Sequence, residues 1–268
     1  MTRLKTEWIE HMLTGMERYN ADLKSKTGME LVDVLTKTGR LGIADIKAAI
    51  KDNKIAAVPI TQGEGIIGQF SQSVQSIIAS MGFDAAITDK TDIDGIYSGM
   101  KAGRNVFFFA DDDRYLALNV ANGKSGDNNY CTALGFVHVM KAMMAKRGKN
   151  IGQEKLLVIG YGIVGREAVA ILNDMKIDFD IYDKDYDKIA GLDNYKLKGK
   201  DEIKNYQYIL DFTNEGSWLS KEDLDKDVLI ATPGVPYSLD AEAEPLFEAN
   251  SVHDNLEIGT AVMLGQVL

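Results

Sequence analysis

The feature that most constrains this chain is the stretch Lys155-Leu156-Leu157-Val158-Ile159-Gly160-Tyr161-Gly162-Ile163-Val164-Gly165-Arg166-Glu167. A short apolar run enters Gly-x-Gly-x-x-Gly, and an amphipathic helical pattern leaves it. Each glycine has a mechanical job. Gly160 permits the tight turn out of a strand, Gly162 lets a pyrophosphate approach the backbone, and Gly165 lets the helix lie close to the strand. The helix start offers unpaired N–H groups and the positive end of a dipole. Gly160, Tyr161, Gly162, Ile163, Val164 and Gly165 are therefore the expected cofactor cradle. A second apolar run, Phe179 to Tyr182, ends in Asp183, 23 residues beyond Gly160. An acid at that distance hydrogen-bonds an adenosine ribose and repels a 2′-phosphate, so NAD is expected rather than NADP. The competing reading is a tight βα turn with no ligand.

Ahead of this motif, residues 6–27 have the spacing of an amphipathic helix, with Ile9, Met12, Leu13, Met16 and Leu23 on one stripe and Gly28 as its C-cap. Two shorter helices are expected over 29–38 and 43–52, separated by Gly39 and Gly42. Strands are expected at Ile55 to Ile60, Asp84 to Thr88 and Asn105 to Ala110, with helices at Ile66 to Met81 and Ile93 to Lys101. Strands alternating with helices imply a parallel sheet. Asn122 to Asn129 is the most loop-like segment, and a helix from Thr132 to Lys146 links two domains. Further strands are expected at 179–182, Tyr208 to Phe212, Val228 to Ala231 and near His253, with a last helix from Thr260 to Leu268. The expected class is α/β: a small N-terminal α/β domain preceded by helices, plus a C-terminal Rossmann dinucleotide-binding domain. The expected divisions are a helical arm (1–54), a small α/β substrate domain (55–130), a linking helix (131–152), the Rossmann domain (153–256) and a terminal helix packing back on the body (257–268). The arm's apolar stripe needs a surface to cover, either its own domain or a second subunit, and so raises a homodimer.

The 268 residues suffice for two medium domains, and 45% apolar with 26% charged residues is ordinary for a soluble globular protein. A net charge of −10 argues against nucleic acid or an anionic membrane as the main partner. No apolar run is long enough to span a bilayer, and the N-terminus lacks the apolar core of a secretory signal. The single Cys131 excludes an intrachain disulfide and suits a reducing cytoplasm. His11, His138, His253 and Cys131 lack the spacing of metal ligands, so no metal is expected.

In open parallel sheets ligands bind beyond the carboxyl ends of the strands. That rule selects Thr61-Gln62-Gly63, Thr88-Asp89 and Asp111-Asp112-Asp113 in the first domain. In the second it selects the glycine loop, Asp183, Thr213-Asn214 and Thr232-Pro233-Gly234. A carboxylate leaving a buried strand can hold an ammonium or accept its proton, which makes Asp111 the expected catalytic group. Its bland alternative is a helix N-cap. Thr61-Gln62-Gly63 is either a tight turn or a contact to an amino-acid head group. Asn255 to Ala261, including Gly259 and Thr260, opens the last helix and could face the nicotinamide; Thr260 could equally be that helix's cap. Cys131 is read as buried and inert, and His253 as structural.

These residues resemble the pyrrolysine-biosynthesis dehydrogenase family, the pyrrolysine synthases. The resemblance lies in Val58-Pro59-Ile60-Thr61 through Gly65-Ile66-Ile67-Gly68, in Gly82-Phe83-Asp84 with Ile87-Thr88-Asp89, and in Ala110-Asp111-Asp112. It continues through Cys131-Thr132, the glycine loop, Ala231-Thr232-Pro233-Gly234 and Ile258-Gly259-Thr260-Ala261. It implies NAD-dependent oxidation of the terminal ornithine amine of a lysine whose side-chain amine is amide-linked to 3-methylornithine. Imine hydrolysis with loss of ammonia and ring closure would follow, as the last step of pyrrolysine synthesis. The resemblance places amine recognition at Thr61, Gln62 and Asp111; cofactor contacts at Thr213, Thr232, Pro233, Gly259 and Thr260 are expected from the strand-end rule and the start of the last helix. The chain departs from the family pattern at Gln62 (a small Ser), at Glu64 (a small polar residue) and at Asp254-Asn255-Leu256-Glu257 (Glu-Pro-Leu-Gly). The rival expectations are another amino-acid or folate-type dehydrogenase and a non-catalytic NAD-binding sensor.

Overall fold

The computed structural model describes residues 4–268, which form two compact units. Among the described residues the first comprises 4–22, Met29–Cys131 and Leu256–Leu268, and the second Leu23–Gly28 with Thr132–Asn255.

The first unit opens with α1 (Thr6–Ile9) and α2 (Met12–Thr27), a break in what the periodicity predicts as one helix. α3 (Leu31–Gly39) and α4 (Ile43–Asp52) follow. The apolar stripe of this arm is covered by its own chain: Ile9 and Met12 are fully buried, and Ser73 Oγ donates to the Ile9 carbonyl at 3.1 Å. Leu13 departs from the predicted stripe and is exposed. Of the two surfaces expected to cover the stripe, its own domain and a second subunit, the first does so at Ile9 and Met12.

β1 (Lys54–Val58), α5 (Phe70–Ser80), β2 (Asp84–Ile87), α6 (Asp92–Lys101) and β3 (Val106–Ala110) supply the alternating part of the unit. β1 pairs in parallel with both β2 and β3. The wholly parallel sheet expected here is corrected by two further strands. The chain turns back at Asp112-Asp113 into β4 (Tyr115–Asn119), antiparallel to β3, and then into β5 (Ser125–Asp127). The order is β2-β1-β3-β4-β5. β4 alternates buried and half-buried residues, as a sheet strand with one covered face must. Ser125 to Asp127, expected as loop, pairs with Leu116 to Leu118.

The linking helix α7 (Asn128–Lys146) starts earlier than predicted, which puts Cys131 inside its first turn rather than at its start. The second unit then builds β6 (Leu156–Ile159), α8 (Ile163–Asp174), β7 (Phe179–Tyr182), β8 (Tyr208–Asp211), β9 (Leu229–Thr232), α9 (Ala243–Phe247) and β10 (Ser251–His253). Every pairing is parallel, in the order β10-β9-β8-β6-β7. β6, β8 and β9 are buried throughout, as parallel strands covered on both faces must be. Leu157, Ile159, Ile209, Ile230 and Phe247 share one core of this unit.

The last helix, α10 (Glu257–Val267), belongs to the first unit and is buried almost all round. It crosses α3 so closely that a Cβ on Gly39 would sit 2.7 Å from the Gly265 carbonyl oxygen. Its N-cap is Leu256, so Thr260 is not the cap that the sequence offers; it lies inside the helix, and its Oγ1 is hydrogen-bonded to the Tyr115 hydroxyl at 2.9 Å. Among the described residues no helix is long and apolar enough to cross a membrane.

Candidate functional site

Going from β6 the chain steps to β7 on one side and later to β8 on the other. The carboxyl ends of β6 and β8 therefore flank a topological switch point, where an open parallel sheet leaves a crevice. A pocket of about 280 Å³ lies there, lined by residues that include Gly160, Gly162, Tyr182, Asp183, Thr213 and Trp218.

The glycine loop has the geometry that its spacing demands. Gly160 takes φ +86°, a left-handed value that only glycine adopts without strain. A Cβ on Gly165 would lie 1.9 Å from the Gly160 carbonyl oxygen, so the first turn of α8 can touch the strand exit only as glycine. Gly162 is different: a Cβ there would meet nothing within 4 Å. Nothing around Gly162 fills the space a side chain would take, which leaves the backbone open to approach. Gly162 is the N-cap of α8, and no side chain caps that helix. Its first-turn N–H groups thus remain available to an anion. These observations fit the pyrophosphate of a dinucleotide.

Asp183 lines the pocket and is almost fully buried. Its Oδ2 accepts the Tyr161 N–H at 2.7 Å and its Oδ1 the Asp185 N–H at 2.9 Å. The acid thus holds the glycine loop in shape, and each oxygen keeps a lone pair for a ribose hydroxyl. Thr213 lines the opposite wall. Its N–H donates to Asp211 Oδ1 at 2.9 Å, and its hydroxyl accepts from Trp218 Nε1 at 3.3 Å. Asp211 is fully buried, and desolvation holds its carboxyl above the usual carboxylate range. Trp218 stacks near Tyr182, with ring centroids 6.2 Å apart. Neither aromatic was singled out as a site residue by the sequence: Tyr182 read only as the end of an apolar strand, and Trp218 lies in a loop without periodic pattern.

Thr232 and Pro233 lie outside this pocket. Thr232 is fully buried at the end of β9, and its Oγ1 accepts the Gly234 N–H at 2.9 Å. His253 stacks on Tyr237 at 4.1 Å and bonds the Gly234 carbonyl through Nε2 at 2.8 Å. Gly259 and Thr260 are buried in the first unit. Cys131 is fully buried there too, and burial pushes its thiol up to about 12.

The carboxyl edge of the first unit's sheet carries acids. Asp111 opens the β3–β4 hairpin, where its N–H donates to the Arg114 carbonyl at 3.0 Å. Its Oδ1 accepts the N–H groups of Asp113 (2.9 Å) and Arg114 (2.7 Å). Asp111 is therefore the cap of a β-turn, not of the helix that the sequence offers as its bland role. Its half-buried side chain keeps Oδ2 free of those bonds. Asp112 Oδ2 accepts the Glu64 N–H at 2.7 Å, which ties the hairpin to the Thr61–Gly65 loop. Thr61 donates its N–H (2.8 Å) and its hydroxyl (2.7 Å) to Asp92, whose carboxyl these bonds hold below the usual range. The structure thus brings Thr61 to Asp92, a residue that the sequence reading missed, while Gln62 stays exposed. The signal for Asp92 was its place where β2 feeds α6. Among the described residues no cluster of His, Cys, Asp and Glu is arranged to hold a metal ion.

A parallel sheet with a glycine turn, an open N-cap and a buried acid at the next strand end defines a dinucleotide-binding α/β oxidoreductase. A family profile described as "Pyrrolysine biosynthesis protein PylD, N-terminal domain" matches residues 8–126. The chain is 31% identical over 220 residues to pyrrolysine synthase of Methanosarcina barkeri, covering 80% of this chain and 81% of that one. It is 29% identical over 240 residues to pyrrolysine synthase of Methanosarcina acetivorans, covering 84% and 89%. The chain belongs to the pyrrolysine synthase family. Among solved structures it is similar in fold to the bifunctional methylenetetrahydrofolate dehydrogenase/cyclohydrolase of Campylobacter jejuni, with TM-score 0.55 and 9% identity over 91% of this chain and 96% of that one.

Proposed function

We propose that this chain oxidises the terminal ornithine amine of a lysine-Nε-3-methylornithine amide with NAD, the step that leads to pyrrolysine. The observation that carries the reading is the similarity to two pyrrolysine synthases over four-fifths or more of either chain. NAD, when bound, accepts the hydride from the carbon bearing the amine. The chain's own residues have the remaining tasks. Gly162 and the start of α8 receive the pyrophosphate, and Asp183 and Thr213 hold the nucleoside end. Asp111 is the proposed proton acceptor. A substrate ammonium must lose a proton before its nitrogen lone pair can expel hydride, and Asp111 Oδ2 is the carboxylate oxygen left over from the turn. Thr61 and Gln62 line the proposed amine seat, with Asp92 fixing the Thr61 backbone. The imine then takes up water and releases ammonia. The second ornithine amine attacks the resulting aldehyde and water leaves to close the pyrroline ring; because this attack is intramolecular it needs little further catalysis.

Purified protein with NAD and the amide should yield NADH and the cyclised product, whereas lysine, ornithine or a folate should yield none. NADH with a simple amino acid would favour another dehydrogenase of this fold, and NAD binding without turnover would favour a sensor. Asp111→Asn keeps the turn acceptor but loses the base. It should lower kcat at least about a hundredfold, the usual weight of one acid–base group, with NAD affinity unchanged. A fully active Asp111→Asn would leave the residue only its turn.

The buried Cys131 supports a cytoplasmic setting. The proposed assembly is a homodimer, through α6 rather than through the covered N-terminal arm.

A further inference from the structure

The pocket wall beside Asp183 also carries two lysines, Lys184 and Lys188, and one more acid, Glu215. Two cations at the adenosine edge are what a 2′-phosphate looks for. Each has a carboxylate within 4 Å. Lys184 Nζ is hydrogen-bonded to Glu215 Oε2, and Glu215 holds the ammonium above the usual lysine range. Lys188 Nζ lies 3.9 Å from Asp183 Oδ1 and 3.8 Å from Asp185 Oδ2. The two partners of the first pair come from different strand ends, Lys184 after β7 and Glu215 after β8. Their pairing is therefore a property of the folded pocket, not of local sequence.

We propose that Glu215 is a cofactor-selectivity residue: by holding Lys184 it removes the cation that a 2′-phosphate would need and adds its own negative charge to the same wall. This rests on reading the pocket as the adenosine end of a dinucleotide site. It goes further than the acid at Asp183, because Asp183 is already engaged by two backbone N–H groups. The wall as built sets two carboxylates (Asp183, Glu215) against two ammonium groups (Lys184, Lys188). Glu215→Gln leaves one carboxylate against two ammonium groups, and Glu215→Lys one against three. The pair is solvent-exposed, with Lys184 74% accessible, so losing it should cost the fold little and the effect should appear in ligand binding.

The test is titration of purified protein with NAD, NADP and 2′,5′-ADP. Glu215→Gln should narrow the preference for NAD over NADP about tenfold, mainly by tightening NADP, with NAD changed less than about threefold. Glu215→Lys should narrow it further. Adding Lys184→Met to Glu215→Gln should cancel most of the gain, because Lys184 is the cation released. An unchanged NAD-to-NADP ratio in Glu215→Gln, with wild type binding NAD normally, would overturn the selectivity role and leave the pocket reading standing. A gain that survives Lys184→Met would overturn the latch. Wild type that binds neither NAD nor 2′,5′-ADP would overturn the pocket reading and this inference together.

Discussion

At the scale of single residues, Gly160 and Gly162 do different work. Gly160 is required by the fold, whereas Gly162 has open space where a side chain would go. Gly162→Ala should therefore melt at the wild-type temperature and bind NAD at least tenfold more weakly, a loss of about 1.4 kcal/mol or more. Calorimetric melting alongside NAD titration checks this; unchanged affinity would mean that no phosphate approaches there. The glycine loop and Asp183 were legible in the sequence because their geometry is local: a strand, a turn and a helix start dictate it. The roles of Asp111 and Thr260 were not. A hairpin made Asp111 a turn residue, and Tyr115, 145 positions away along the chain, took the Thr260 hydroxyl. Such partners are chosen by tertiary contact and leave no trace in spacing.

Among the elements, the alternating core was legible, and the hairpin strands β4 and β5 were not. Tyr115 to Asn119 does alternate, but the acid run before it and the Asn/Gly-rich stretch after it read as loop on composition. The start of α10 shows the same limit. Glu257, at one of the departures from the family pattern, is buried; its Oε2 accepts the Leu256 N–H at 3.1 Å and its Oε1 faces His11 Nε2 at 3.3 Å. The hydrogen bond to Glu257, more than any other influence, raises His11 above its ordinary 6.5. A histidine raised in the folded state stabilises fully below its unfolded pKa and loses that contribution as pH climbs through the folded value. His11→Gln keeps a donor but cannot titrate. The wild type's advantage in melting temperature over His11→Gln should therefore be largest near pH 6 and shrink by about pH 8. It should be small throughout, since His11 is more than half exposed. A difference that grows with pH would contradict the sign.

For the whole molecule, the sequence anticipated a helix returning from the C-terminus, and α10 does join the first unit. It also offered the N-terminal stripe as a subunit contact, and the chain itself covers that stripe. An uncovered stripe lies on α6 instead. Ile93, Tyr97 and Met100 are 82%, 60% and 50% exposed, and their spacing puts them on one helix face. Along one edge of that face Asp94 lies near the helix start and Lys101 near its end, seven residues apart. A second copy laid antiparallel about a two-fold axis near Tyr97 brings Asp94 of each copy opposite Lys101 of the other, so the face is complementary to itself in charge as well as apolar. Three side chains supply only part of the roughly 800 Å² per partner that a standard interface covers, so a dissociation constant of about micromolar order is expected. Sedimentation equilibrium should show a concentration-dependent dimer, and Tyr97→Glu should abolish it without altering NAD binding. Asp94→Lys alone should weaken association by setting like charges face to face, and adding Lys101→Asp should restore it. If the double swap associates no better than the single one, the antiparallel α6 pairing is wrong even where a dimer exists.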